Sequence, residues 1–592
     1  MISLGDFLRT RLLGFENTLE RIEQYLNSTK SNSKINSLRV RFRKSVLEKL
    51  RDNFSPERKF YVIEAPTGFG KTLTNLLVAS YIQEKVYEER GFVPRIIYSL
   101  PFTSIVDQTY DVIRSVFGND YNVVIFHHAR SEISNGNGIT SEDLENQGHL
   151  YLEMSRFWLS DIIVTTFEQI IYGLAWADKN YAFRYALIDG SIVILDEVQA
   201  IPLGLLDATR TFLETTKGTY YILSTATYPR LVPQPVRLYS MCDAYKHASD
   251  LGINLNNVEY VLDKFFDDMG KKTKYLELKD HVKEIINNEK ERLIIVMNTI
   301  KSSVDVGRSV EELARTNGYE FYYLSSLVPP KVRRERIERL KRENRPFILV
   351  STQVIEAGID ISSQALIRDF APYDSIVQSA GRCNRNLEID VGEVHIRALH
   401  DEKGILLAER IYDGSILNCT RIAIENLLKD VNGERIKRVV FETKLSEYYK
   451  KAVKRAKITD EIENLIRNLE FMGIQEKYKI IEEKEPKIPV VVIIDERSKN
   501  LVERALEIAD MRHSIEKFKS LKEILRELAG YTINVPMYRD CMKVLEDYLR
   551  PIGKKESPYI YYVDAKGLLD IKCLYYDDTY GLIGGYLAEG AF

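Results

Sequence analysis

The sequence predicts an α/β protein: two tandem parallel-sheet lobes followed by a C-terminal mixed α+β accessory domain. Three observations lead there. Short apolar runs alternate with helix-favouring stretches from Phe60 to Thr227; the alternation resumes at Leu293 and continues to about residue 400; beyond 401 it gives way to charged helical segments and isolated strands. With 592 residues the chain exceeds one core. The reading divides it into a helical segment over 1–50, a first lobe over 51–230, a second over 231–400 and the accessory domain over 401–592.

Each element has its own warrant. In the first lobe, strands are expected near Ile63, over 96–99, 123–126 and 162–164, up to Asp196, and over 220–223, with helices after Lys71, Phe102 and Phe167. Their unbroken apolar character fits strands covered on both faces. The second lobe repeats the pattern with strands over 293–296, 322–324, 347–350, 365–367 and 394–396, and helices after Lys301 and over 331–342. That last helix carries Arg333, Arg334, Arg336, Arg339, Lys341 and Arg342, and reads as a solvated face. In the accessory domain, 459–472 and 499–528 read as helical and 490–494 as a strand.

Composition narrows the function classes. A hydrophobic content of 45% with 29% charged residues excludes a disordered or fibrous chain. A net charge of only −3 means that any nucleic-acid contact must come from a local cleft. The five cysteines show no paired spacing suited to zinc or an iron–sulfur cluster, which suggests a reducing cytoplasm. No apolar run reaches the roughly 18 residues of a spanning helix, so no membrane role is expected.

Two motifs in the first lobe carry chemistry. Thr67-Gly68-Phe69-Gly70-Lys71-Thr72 follows a strand and opens a helix, the context in which a glycine-rich loop cradles phosphates. Backbone N–H groups and Lys71 would hold ATP, and the Thr72 hydroxyl would hold Mg²⁺. The buried strand before Asp196-Glu197 delivers two carboxylates beside that loop. Asp196 suits Mg²⁺, and Glu197 suits orienting and deprotonating water. In the second lobe, Gly358 and Asp360 suit a turn facing a ligand. Gln378, Arg382 and Arg385 are spaced four and three apart, and on one helix they would share a face aimed at a γ-phosphate.

In order, these motifs, together with 100–108 (Leu-Pro-Phe-Thr-Ser-Ile-Val-Asp-Gln), 164–169 (Val-Thr-Thr-Phe-Glu-Gln), Asp-Glu-Val-Gln ending at Gln199 and Ser224-Thr225-Ala226-Thr227, resemble superfamily 2 helicases. More narrowly, they resemble the CRISPR-associated helicase recruited by Cascade in type I interference. The match is strong over residues 60 to 400 and weak beyond, resting there on Tyr576-Asp577 and Gly581-Leu582. The resemblance implies RecA-like lobes that hydrolyse ATP and translocate along single-stranded DNA. In it, Lys71, Asp196, Glu197, Gln378, Arg382 and Arg385 are catalytic, and Gly358 with Asp360 sense nucleotide. Gln199, Ser224 and Thr227 couple hydrolysis to movement, and Thr103, Ser104, Thr165 and Thr166 hold the DNA backbone.

Two departures qualify the resemblance. The residues before Phe60 hold no histidine, where many relatives carry an HD nuclease domain, so it implies a separate HD nuclease subunit beside a Cascade-like complex. No glutamine equivalent to the base-reading residue of related helicases stands out over 41–50. The competing readings are an RNA helicase, a repair-type DNA translocase, or a scaffold that binds ATP without hydrolysing it.

Overall fold

The computed structural model describes residues 11 to 584, apart from 29–32, 135–157, 175–178, 456–461, 478–486, 512–514, 537–548, 565–573 and a few isolated positions. The chain resolves into two compact units: residues 1–255 with 443–481, and residues 256–442 with 482–592.

The first unit is built on an eight-stranded sheet: β1 (Phe60–Glu64), β2 (Ile96–Leu100), β3 (Val123–His127), β4 (Arg130–Ser134), β5 (Ile162–Thr166), β6 (Ile192–Asp196), β7 (Tyr220–Thr225) and β8 (Val236–Tyr239). Their spatial order is β4-β3-β5-β2-β6-β7-β1-β8, with only β4 antiparallel to its neighbour. β2, β5, β6 and β7 are buried along their whole length, as strands flanked on both sides require. Register levels the tips that matter: Ser224 of β7 pairs with Ile63 of β1 on one side and with Asp196 of β6 on the other. The carboxyl ends of these strands form one rim, where ligands bind in open parallel sheets.

The second unit repeats the plan with β9 (Val258–Val261), β10 (Arg292–Val296), β11 (Glu320–Leu324), β12 (Phe347–Ser351), β13 (Ala365–Asp369), β14 (Gly392–Arg397) and β15 (Arg435–Lys437). They run in the order β11-β12-β10-β13-β14-β9-β15, and only β15 is antiparallel. β15 comes from beyond residue 400, so the sheet draws on residues assigned from sequence to the accessory part. Helix Ile300–Thr316 starts at Thr299, whose hydroxyl accepts from the Ser302 N–H at 3.1 Å.

The same unit contains a mixed sheet of β16 (Lys487–Ile493), β17 (Thr532–Pro536), β18 (Arg550–Lys554) and β19 (Ser557–Asp564), in the order β17-β16-β19-β18. Helices Glu496–Asp510 and Ile515–Leu528 pack on it through Leu501, Val502, Leu521 and Ile524. A hairpin of β20 (Leu574–Asp577) and β21 (Gly581–Gly584) follows. The helix expected over 459–472 lies largely outside the described residues.

The basic helix Pro330–Arg342 is solvated at Arg334, Arg339, Lys341 and Arg342, as read from the sequence, while Arg336 and Lys331 are engaged by other elements. Arg336 donates to the carbonyls of Tyr323 and Thr579, both at 2.6 Å, and to that of Asp578. Lys331 pairs with Asp495 at 3.1 Å and donates to the Tyr531 hydroxyl at 2.5 Å. These cations fasten the C-terminal elements to the second sheet. Tyr580 completes the join: it is buried in the core of Val306, Val310 and Tyr323, donates to Glu311 at 2.9 Å, and leaves no room for a Cβ on Gly307.

Candidate active site

The glycine-rich loop links β1 to helix Lys71–Arg90. Gly68 and Gly70 adopt φ of +87° and +81°, and a Cβ on Gly68 would meet nothing within 4 Å. Conformation, not crowding, therefore demands glycine there. The helix opens with unpaired N–H groups facing the loop, a ready anion site. Lys71 is buried, and its ammonium donates to the Ala65 carbonyl at 3.0 Å. Loop and helix thus fit a triphosphate, and Thr72, the second helical residue, fits its metal.

Helix Ser33–Asn53 braces this loop, a role the sequence did not disclose. Arg39 Nε donates to the Gly68 carbonyl at 2.8 Å, and Phe42 packs edge-on against Phe69 at 5.8 Å and Tyr239 at 4.7 Å. The available signal was the spacing of Arg39 and Phe42, three apart on one helix.

Asp196 ends β6 and is almost wholly buried. Burial pushes its carboxyl up to about 6, with Glu197 adding to the shift and the Lys71 cation opposing it. The Tyr98 hydroxyl on β2 donates to Asp196 Oδ2 at 2.6 Å and accepts from Asn75 Nδ2 at 3.2 Å. Tyr98 and Asn75 are therefore part of the site, although the sequence singled out neither. Ser224 stands opposite Asp196 in the ladder.

Glu197 has φ +64° and ψ +46°, a left-handed conformation that costs about 1–2 kcal/mol for an L-residue. Gln199 Nε2 donates to Glu197 Oε2 at 2.6 Å, and Gln199 Oε1 accepts from the Thr225 hydroxyl. Thr225 Oγ1 also accepts from the Thr227 N–H at 2.9 Å. The predicted residues Lys71, Asp196, Glu197, Gln199, Ser224 and Thr227 thus gather on one rim of one sheet.

The second-unit residues require a correction. Gln378 lies on helix Tyr373–Ala380, but the helix ends before Arg382 and Arg385, so the three do not share a helical face. Asn384, at φ +46°, carries the chain away from the helix. Arg382 is buried and donates to the carbonyls of Ile355 at 2.9 Å and Glu356 at 2.8 Å. Arg385 pairs with the exposed Asp360 at 2.9 Å. Gly358 lies outside the described residues.

Behind them lies a buried hub not read from the sequence. Arg368 has no exposed surface and reaches Asn298 Oδ1 at 2.7 Å, the Asp369 carbonyl at 2.8 Å, Glu356 at 2.9 Å, Ser375 at 3.0 Å, Ser379 at 3.1 Å and Tyr412 at 3.2 Å. Ser375 and Ser379 also donate to Glu356, at 2.9 and 3.0 Å. Burial pushes the Glu356 carboxyl upward, and Arg368 with these hydroxyls draws it back. The hub ties segment 353–356, whose carbonyls hold Arg382, to helix Tyr373–Ala380.

The DNA-backbone residues fare unevenly. Thr103 and Ser104 open helix Thr103–Phe117, but their side chains are outside the described set. Thr165 is completely buried in β5, opposite Ser99 of β2. Thr166, at the strand end, is 6% exposed.

Comparison with known proteins follows the same division. Residues 44–234 match the DEAD/DEAH box helicase family, and residues 289–388 match the family described as CRISPR-associated nuclease/helicase Cas3, C-terminal. The CRISPR-associated nuclease/helicase Cas3 of Haloferax volcanii is 26% identical over 55% of this chain and 44% of its own length. The chain spans about half the length of the curated relatives it matches. Among solved structures, T. fusca Cas3 with AMPPNP aligns with a TM-score of 0.64 at 16% identity, over 96% of this chain and 74% of that one. A chain of a pre-nicking CRISPR RNA-guided surveillance complex aligns with 0.56 at 16% identity, over 89% and 68%. Among the described residues, no helix is long and apolar enough to cross a membrane.

Proposed function

We propose, from the premise that this chain is a superfamily 2 helicase of the CRISPR-associated Cas3 type, that it hydrolyses ATP to move along single-stranded DNA. The observation that carries this reading is the meeting of Lys71, Asp196 and a Gln199-held Glu197 at the carboxyl rim of one parallel sheet. When bound, Mg-ATP supplies the phosphoryl group and the charge that polarises it. The loop amides and Lys71 would hold the phosphates, while Thr72 and Asp196 would hold the metal. Glu197 Oε2 is committed to Gln199, so Oε1 is the atom that takes the proton from water. Arg385, Arg382 and Gln378 are assigned to the same reaction from the second unit, with Asp360 and Gly358 as its nucleotide sensors. Thr103, Ser104, Thr165 and Thr166 are assigned to the DNA backbone.

In this reading the chain works in the cytoplasm with a Cascade-like surveillance complex, and a separate HD-type subunit supplies the nuclease. Its likeness to a chain of a surveillance complex supports the first partner. The test is ATP turnover by purified protein with single-stranded DNA, single-stranded RNA or neither. DNA-stimulated hydrolysis that falls at least about 100-fold in Lys71→Ala and Glu197→Gln is expected. Stronger stimulation by RNA would favour an RNA helicase, and nucleotide binding without phosphate release would favour a scaffold.

A further inference from the structure

The first unit is completed by residues remote from it in sequence. Segment 443–481 belongs to it, whereas the residues before and after that segment belong to the other unit. Ile462, Ile466 and Ile474 join the core of Phe167, Leu205 and Leu223, and Val453 of helix Leu445–Arg455 packs against the same core. The helix also meets the turn that leaves β7. Tyr449, 2% exposed, brings its phenol oxygen to 3.2 Å from Thr227 Oγ1. Ser446 accepts from Arg230 Nη2 at 2.8 Å, and Arg230 is held at φ +59°. One helix therefore pins both ends of 227–230.

Thr227 leads to the chemistry. The Thr225 hydroxyl has a single proton and two acceptors within reach, Gln199 Oε1 and the Thr227 carbonyl at 2.8 Å. Where Thr227 sits decides which acceptor it serves. Given to Gln199, the proton fixes that amide with its NH₂ toward Glu197; given to Thr227, it leaves the amide free to turn. Core packing asks only for the ring of Tyr449, so the hydroxyl is the informative atom.

We propose that Tyr449 is a positioning residue for ATP hydrolysis, acting through Thr227, Thr225 and Gln199 on the Glu197 carboxylate. The inference rests on the function proposed above. Segment 443–481 thereby carries a residue of the hydrolytic network into the first unit from a stretch flanked on both sides by the chain of the second.

The test uses the full chain with Tyr449→Phe, which keeps the ring, alongside Thr227→Val, the double variant and Lys71→Ala. Expected is a fall in kcat of about 2- to 10-fold, the range one hydrogen bond spans, with KM for ATP unchanged and the melting temperature lower by no more than about 4 °C. The double variant should be no worse than either single one. In nucleotide-free protein, hydrogen exchange of the peptide spanning 225–230 should quicken in Tyr449→Phe while peptides from β2 and β5 keep their rates. Wild-type kcat, or a lowered kcat without loosening of 225–230, overturns the proposal. With Lys71→Ala inactive, either result leaves the function reading standing; a wild-type chain that releases no phosphate overturns both.

Discussion

Replacing Arg368 by methionine would isolate a charge inside the second unit. Glu356 is 2.9 Å from Arg368 and, among the described residues, receives further donors from Ser375 and Ser379. Without the guanidinium its cheapest escape is to bind a proton, which at pH 7 costs up to about 3.4 kcal/mol against its ordinary value of 4.5. That agrees with the roughly 3–5 kcal/mol seen when one member of a buried pair is removed. For a unit of this size it corresponds to a melting temperature lower by about 5 °C. The cost depends on pH with a definite sign: protonation becomes easier in acid, so the deficit shrinks by about 2 kcal/mol between pH 7 and 5.5. Thermal melts of wild type, Arg368→Met and Arg368→Met with Glu356→Gln at both pH values measure it. Asp369, pushed up to about 7 by burial against the pull of Arg368, loses that pull in both variants alike, so the comparison of the single with the double variant isolates the share of Glu356. A deficit that does not change with pH, or a double variant no better than the single one, would refute the reasoning.

Two further outcomes follow from the geometry. Glu197→Gly relieves a left-handed strain of about 1–2 kcal/mol and removes the proton acceptor, so thermal scans should show an unchanged or higher melting temperature while turnover falls by at least about 100-fold. Glu197→Ala loses the same side-chain contact but keeps a Cβ, so a melting temperature of Glu197→Gly no higher than that of Glu197→Ala would show that the backbone there is not strained. His281 is drawn down to about 2, chiefly by burial and then by His395, Arg397 and Lys264, so it folds neutral. Its contribution is full above the unfolded value of about 6.5 and is lost as the pH falls below it, by about 2 kcal/mol at pH 5. Urea denaturation of His281→Leu between pH 7.5 and 5 should show a correspondingly flatter slope, and an unchanged slope would exclude His281 as the titrating group.

How much of this was legible in the sequence depended on how local each determinant is. β2, β6 and β7 announce themselves as continuous apolar runs, and the phosphate loop is a contiguous motif whose glycines are required by its own backbone angles. Asp196 and Glu197 were readable for the same reason. Arg382 and Arg385 were misplaced because spacing implies a shared face only while a helix continues, and here it stops at Ala380. Arg368 was invisible: it sits in an apolar strand, and its six partners come from 298, 356, 369, 375, 379 and 412. Tyr449 was hidden more deeply, since its contact with Thr227 spans 222 positions.

Tyr580 sets a timetable. Its ring fills the space over Gly307 and its hydroxyl meets Glu311, 269 positions earlier. At ribosomal speeds of about 5–20 residues per second, roughly 15 to 50 seconds separate the appearance of socket and plug. Throughout that interval the nascent sheet around Tyr323 has an open flank, closed only by a hairpin synthesised long after the strands it seals.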